Sequence, residues 1–142
     1  MKTCLLLSLA LAAPALAAPP SHAPRWAPAG TGAGGGVIEI DRASLNWRSL
    51  QHAWWRIPYS PPKRDGTVEE RNLELIDCRE RVSYGIETVS LDASGAVISD
   101  QRDSEDLAMQ RMSPPTPGTP GETVAIQACR MRPPPPPPRK RR

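Results

Sequence analysis

The chain has 142 residues with a formal net charge of +3, 18 prolines and no phenylalanine. Lys2 lies at the extreme N-terminus and six of the 18 Lys and Arg fall in the last thirteen residues. Residues 18–129 therefore hold eleven basic against 15 acidic side chains, a net charge of −4. This balance argues against a basic nucleic-acid-binding face, and no nucleic-acid partner is expected. The proline-rich ends leave room for one domain of roughly ninety residues.

The opening "MKTCLLLSLALAAPALAAPP" has the layout of a secretory signal. Lys2 supplies the charged start, Cys4 to Ala13 the short apolar core, and Ala15-Leu16-Ala17 the small residues before a cleavage site. We place the signal over residues 1–17, since cleavage one residue later would put Pro19 first. Its apolar run is too short to span a bilayer as a helix, and no later segment approaches eighteen apolar residues, so no transmembrane segment is expected. The expected destination is export: the periplasm, the outer-membrane surface or the exterior.

Residues 18–36 are rich in Pro, Ala and Gly and read as a disordered linker. "GVIEID" then alternates Ile38 and Ile40 against Val37, Glu39 and Asp41, the period of a half-buried strand. "LQHAWWRIPY" reads as a second strand, closed by Pro58 and a turn-rich "SPPKRDG". "TVEERNLELIDCRER" is a third, and its alternation shifts phase between Leu75 and Ile76, which suggests a bulge or strong twist. "VSYGIETVSLDASGAVISD" reads as a hairpin turned by Asp92 and Gly95. "DQRDSED" follows as a solvated loop; it lacks the spacing and central glycine of a calcium loop.

"TPGETVAIQAC" reads as a short terminal helix. Thr119 is its N-cap, Pro120 its first residue and Glu122 completes a capping box. Val124, Ala125, Ala128 and Cys129 share one side of it. Removing Cys4 with the signal leaves Cys78 and Cys129, an even pair in an oxidising compartment. A metal site would need more ligands than His22 and His52 supply at this spacing. A redox or nucleophilic role lacks a C-x-x-C pair and an evident base. The favoured reading is a disulfide that staples the helix to the strand containing Cys78. Closing a loop of this length contributes about 4 kcal/mol in the chain-entropy model.

Three blocks, "EIDRASL", "LIDCRERVSYGIETVSLDASGAVIS" and "PPTPGTPGETVAIQACR", together resemble the surface-adhesin protein E family of Gram-negative bacteria. The resemblance covers residues 37–130, the expected domain. It implies an α+β fold: a small antiparallel sheet of five to six strands with a C-terminal helix tethered by a disulfide, which carries over to Cys78 and Cys129. It also implies an exported, non-enzymatic binding module recognising a protein partner at the envelope or in host matrix.

Sharper chemistry finds little support. Trp54 and Trp55 are adjacent in a strand and point to opposite sides, so at most one can reach a binding face. The expected arrangement puts one in the core under the helix and the other at the edge. No nucleophile–base set, phosphate loop or cofactor fingerprint is present, so no enzyme activity, cofactor or metal is expected. Residues 131–142 end in six prolines followed by Arg139, Lys140, Arg141 and Arg142. This is a polyproline spacer with a cationic tip, suited to contact with an anionic envelope surface. The alternative role is a structural envelope protein using that tail.

Overall fold

A computed structural model describes residues 23–32, 35–46 and 50–131. The signal (1–17) and the tail residues Arg139, Lys140, Arg141 and Arg142 lie outside the described residues. Six strands form one sheet: β1 (Trp26–Thr31), β2 (Val37–Asp41), β3 (Leu50–Pro58), β4 (Glu69–Asp77), β5 (Val82–Leu91) and β6 (Val97–Arg102). Their spatial order is their chain order, and every neighbouring pair is antiparallel. Two helices complete the α+β fold, α1 (Glu105–Arg111) and α2 (Pro120–Arg130).

Each face of the sheet carries a cluster. Ile38, Ile40, Ala53, Trp55, Ile57 and Ile76 pack with Val124, Ala125 and Ala128 of α2. Leu73, Leu75 and Ile86 pack with Ala108 of α1, flanked by Trp54, Tyr84 and Met112. The adjacent tryptophans thus serve opposite faces. Trp55 lies in the core under α2 as expected, whereas Trp54 packs in the cluster with α1 rather than at an edge.

The same two-sided burial corrects the reading of β4. Asn72 to Ile76 are all buried, with Leu73 and Leu75 in one cluster and Ile76 in the other. The alternation does not change phase at Leu75 and Ile76; apolar side chains are simply needed on both faces. The register shift falls elsewhere. Leu73 pairs with Glu87 and Glu74 with Gly85, which leaves Ile86 as the extra residue of a bulge in β5.

Two further expectations are overturned. The stretch read as linker, 18–36, contains β1, which pairs with β2 along its length and places Ala29 in the core. Pro28 and Gly30 hid this strand, but proline is tolerated on an edge strand. Gly30 is required there, because a Cβ would stand 2.6 Å from Thr123 Cγ2 of α2. "DQRDSED" is likewise no loop. Its first three residues finish β6 and its last two open α1, with Ser104 Oγ accepting from Leu107 N at 3.2 Å.

Candidate interaction edge

The turn that launches β6 is fixed by one carboxylate. Asp92 Oδ1 accepts hydrogen bonds from Ser94 Oγ (2.7 Å), Ser94 N (2.8 Å) and Ala96 N (2.9 Å), and Gly95 takes φ 83°. These donors, Ser94 first and then Ala96, hold the Asp92 carboxyl below its ordinary value. Asp92 N donates back to Ala96 O at 2.9 Å. The returning strand β6 then pairs with β5 from Val97 to Arg102, with one irregularity between Ser90 and Leu91.

β6 is exposed along its whole length. Val97 and Ile98 are 55% and 41% exposed, although both are large apolar residues. Among the described residues no strand pairs with its outer side. The opposite edge of the sheet differs. β1 lies against α2 through Gly30 and Thr123, has a register shift between Pro28 and Gly30, and lacks one N–H at Pro28. Those features blunt an edge; among the described residues β6 has neither a proline nor a covering helix, and its own register shift is confined to its start, where Ile98 is the extra residue.

The backbone direction of β6 follows from the ladder. Asp103 N donates to Ile86 O at 2.8 Å. In an antiparallel pair every second residue turns its N–H and C=O toward its neighbour. Gln101 and Ser99 therefore face β5, while Arg102 and Asp100 present their main-chain groups outward. Side chains alternate across the sheet, so Asp100 and Arg102 share one face of the strand and Ser99 and Gln101 the other.

Beside this edge, Glu87 of β5 pairs with Arg102 of β6. Arg102 Nη1 lies 3.2 Å from Glu87 Oε2, the Glu87 side chain being 4% exposed and that of Arg102 53%. The contact is an ion pair without hydrogen-bond geometry at Oε2. Burial pushes the Glu87 carboxyl up; Arg102 opposes this and Asp100 adds to it. A cavity of about 140 Å³ opens at the bulge, lined by Gly85, Ile86, Glu87, Gln101, Arg102 and Asp103 among others. Tyr84 donates to Asp103 Oδ2 at 2.7 Å, which anchors the chain where it leaves the sheet for α1.

No family model, curated protein or solved structure matches the chain. Within the described residues no group of three or more His, Cys, Asp or Glu side chains is arranged to hold a metal. No helix there is long and apolar enough to cross a membrane.

The residues singled out from sequence sit elsewhere, in the attachment of α2. Cys78 and Cys129 are bonded, with Cα atoms 5.5 Å apart. Thr119 caps α2, its Oγ1 accepting from Glu122 N at 3.3 Å. The Glu122 carboxylate closes the turn one residue earlier than a capping box does, accepting from Gly118 N at 2.7 Å. None of these four lies on β5 or β6. Sequence reasoning ended the returning strand of the hairpin at Asp100, assigned Arg102 to the solvated loop, and named neither as a site residue. No period marks them, because every residue of β6 is exposed and a bulge interrupts the strand at Ile98.

Proposed function

We propose that this chain is an exported, non-enzymatic binding module that takes up an extended segment of a protein partner along the outer edge of β6. The observation that carries this reading is a six-residue strand, exposed throughout, whose outward N–H and C=O groups have no strand beside them among the described residues. Strand addition supplies affinity through such main-chain groups, and specificity through the alternate side chains. Exposed Val97 and Ile98 add apolar area that a captured segment would cover. The resemblance of the three sequence blocks to surface-adhesin protein E supports the same class of function, with the partner at the envelope or in host matrix.

The test replaces one outward donor. Asp100→Pro removes an N–H that faces away from β5, so pairing with β5 is retained. The immobilised native protein is expected to retain a partner from envelope extract or from a panel of matrix proteins. Asp100→Pro, with an unchanged melting temperature, is expected to lose it. Equal retention by both proteins would remove the β6 edge from the function.

A further inference from the structure

We infer that the segment captured on β6 runs antiparallel to it and carries, in chain order, an acidic residue, a basic residue two positions later and an apolar residue two after that. This rests on the strand-addition reading and adds the chemistry of the partner.

Three residues of β6 set the pattern. Asp100 and Arg102 turn their backbone groups outward, so a strand added there would form hydrogen-bonded pairs at these two positions. Side chains of directly opposed residues lie on the same face within about 5 Å and interact, and like charges placed opposite destabilise. A carboxylate opposite Arg102, a cation opposite Asp100 and, two residues further on, an apolar side chain against the bulged and exposed Val97 and Ile98 satisfy all three. Arg102 has capacity for this role. Its guanidinium holds Glu87 through Nη1 only, its side chain is about half exposed, and a guanidinium has five donors. A cation opposite Asp100 would also offset the charge that Asp100 exerts on the buried Glu87 carboxyl. Antiparallel addition continues the sense of every other pair in the sheet and is the more stable per residue.

The alternating charges also act as a filter. A wholly apolar strand would cover Asp100 without offering it a partner and would give Arg102 none beyond Glu87, which is costly. A second copy of β6 centred on Gln101 would oppose Asp100 and Arg102 twice, but would set Ile98 against Ser104 and leave Val97 beyond the paired stretch. The exposed apolar residues therefore favour a foreign segment over self-pairing.

The experiment uses the full chain and a fluorescein-labelled peptide in which threonine alternates with glutamate, lysine and valine in that order. A second peptide exchanges the glutamate and lysine. A third repeats the first with its β6-facing amides N-methylated. Anisotropy is expected to show about tenfold tighter binding of the first peptide than of the second, roughly 1.4 kcal/mol. The double variant Asp100→Lys/Arg102→Glu is expected to reverse that preference, and N-methylation and Asp100→Pro each to abolish binding. Equal binding of the first two peptides, still abolished by N-methylation, would overturn the charge pattern while leaving edge capture standing. Binding indifferent to both N-methylation and Asp100→Pro would overturn the two together. Failure of the first peptide to bind overturns the pattern. Concentration-dependent dimerisation lost in Asp100→Pro would overturn the choice of a foreign segment.

Discussion

Glu74 sits where a charge is costly, 7% exposed on the α2 side of β4. Gly121, in the first turn of α2, passes over its carboxylate; a Cβ there would meet Oε1 at 3.6 Å. Burial pushes the Glu74 carboxyl up, against opposing contributions from Ser83 and Trp55. The Trp55 contribution is the weaker, since its Nε1 makes no hydrogen bond of good geometry. A carboxyl whose folded value is raised binds its proton more tightly folded than unfolded. Its stabilising effect is therefore complete at low pH and is lost as pH rises through the folded value. Glu74→Gln keeps the size and removes the charge. Its denaturation midpoint should match the wild type near pH 4 and exceed it as pH rises above the ordinary carboxyl value of 4.5. Parallel pH profiles would mean that Glu74 is not buried as a charge. At the other end of the same helix turn, Thr119→Ala removes the acceptor for Glu122 N. It should cost about 1 kcal/mol, measured by urea denaturation against an exposed control such as Thr116→Ala. This cap was legible in the sequence because its donors and acceptors lie within four residues of one another. Glu74 was not, because only the arrival of α2 makes its environment dry.

The elements that sequence reasoning found and missed divide along a physical line. Strands β2 and β3 show alternation because one face is buried more than the other, whereas the bulge at Ile86 interrupts it in β5. In β4 both faces are covered, so apolar residues accumulate and imitate a phase shift. β1 is built from Pro, Ala and Gly, whose strand preference is poor, and it exists through pairing with β2 and packing against α2. Trp26 adds to this, with the Arg56 guanidinium 4.6 Å from its ring centre. α1 has only seven residues and one buried side chain, Ala108, too little periodicity to stand out. Its readable signs were the Ser104 cap and the acidic pair Glu105 and Asp106 in the first turn. The docking of β1 is directly testable. Gly30→Ala adds a methyl that meets Thr123 Cγ2 and should lower stability by about 1–3 kcal/mol, the usual cost of overpacking. The same change at Gly35, where a side chain meets nothing within 4 Å, controls for space but has φ 79°. A better control is Gln110→Ala on the exposed side of α1. An unchanged melting temperature for Gly30→Ala would mean that β1 does not press on α2.

At the scale of the whole molecule, one covalent bond and one open edge lie on different parts of the sheet. The candidate edge was only partly legible in sequence: its apolar start was recognised, and its charged end was assigned to a loop, because exposed strand and exposed loop share a polar composition. The tether was anticipated from the sequence, because setting Cys4 aside with the expected signal leaves an even pair of cysteines, a constraint that needs no reference to packing. Cys78 follows β4 directly and Cys129 lies in the penultimate position of α2, 51 residues apart in sequence. Both pack on the margin of the cluster that holds Val124, Ala125 and Ala128. An eleven-residue helix is marginal in water alone, so α2 depends on that cluster and on the bond. Cys78→Ser is expected to cost about 2–5 kcal/mol, a large share of a total near 5–15 kcal/mol. At about 4–8 °C per kcal/mol for a domain of this size, the melting temperature should fall by at least about 8 °C. Reducing the wild type should reproduce the shift, and should leave Cys78→Ser unaffected. Hydrogen exchange of the variant should speed up first at Val124 to Ala128, while the central strands β3 to β5 keep the most protection. Peptide binding at β6 should persist below the lowered transition, because none of the α2 attachment reaches that edge. Two free thiols in the purified protein, or identical melting of its oxidised and reduced forms, would remove the tether as a source of stability.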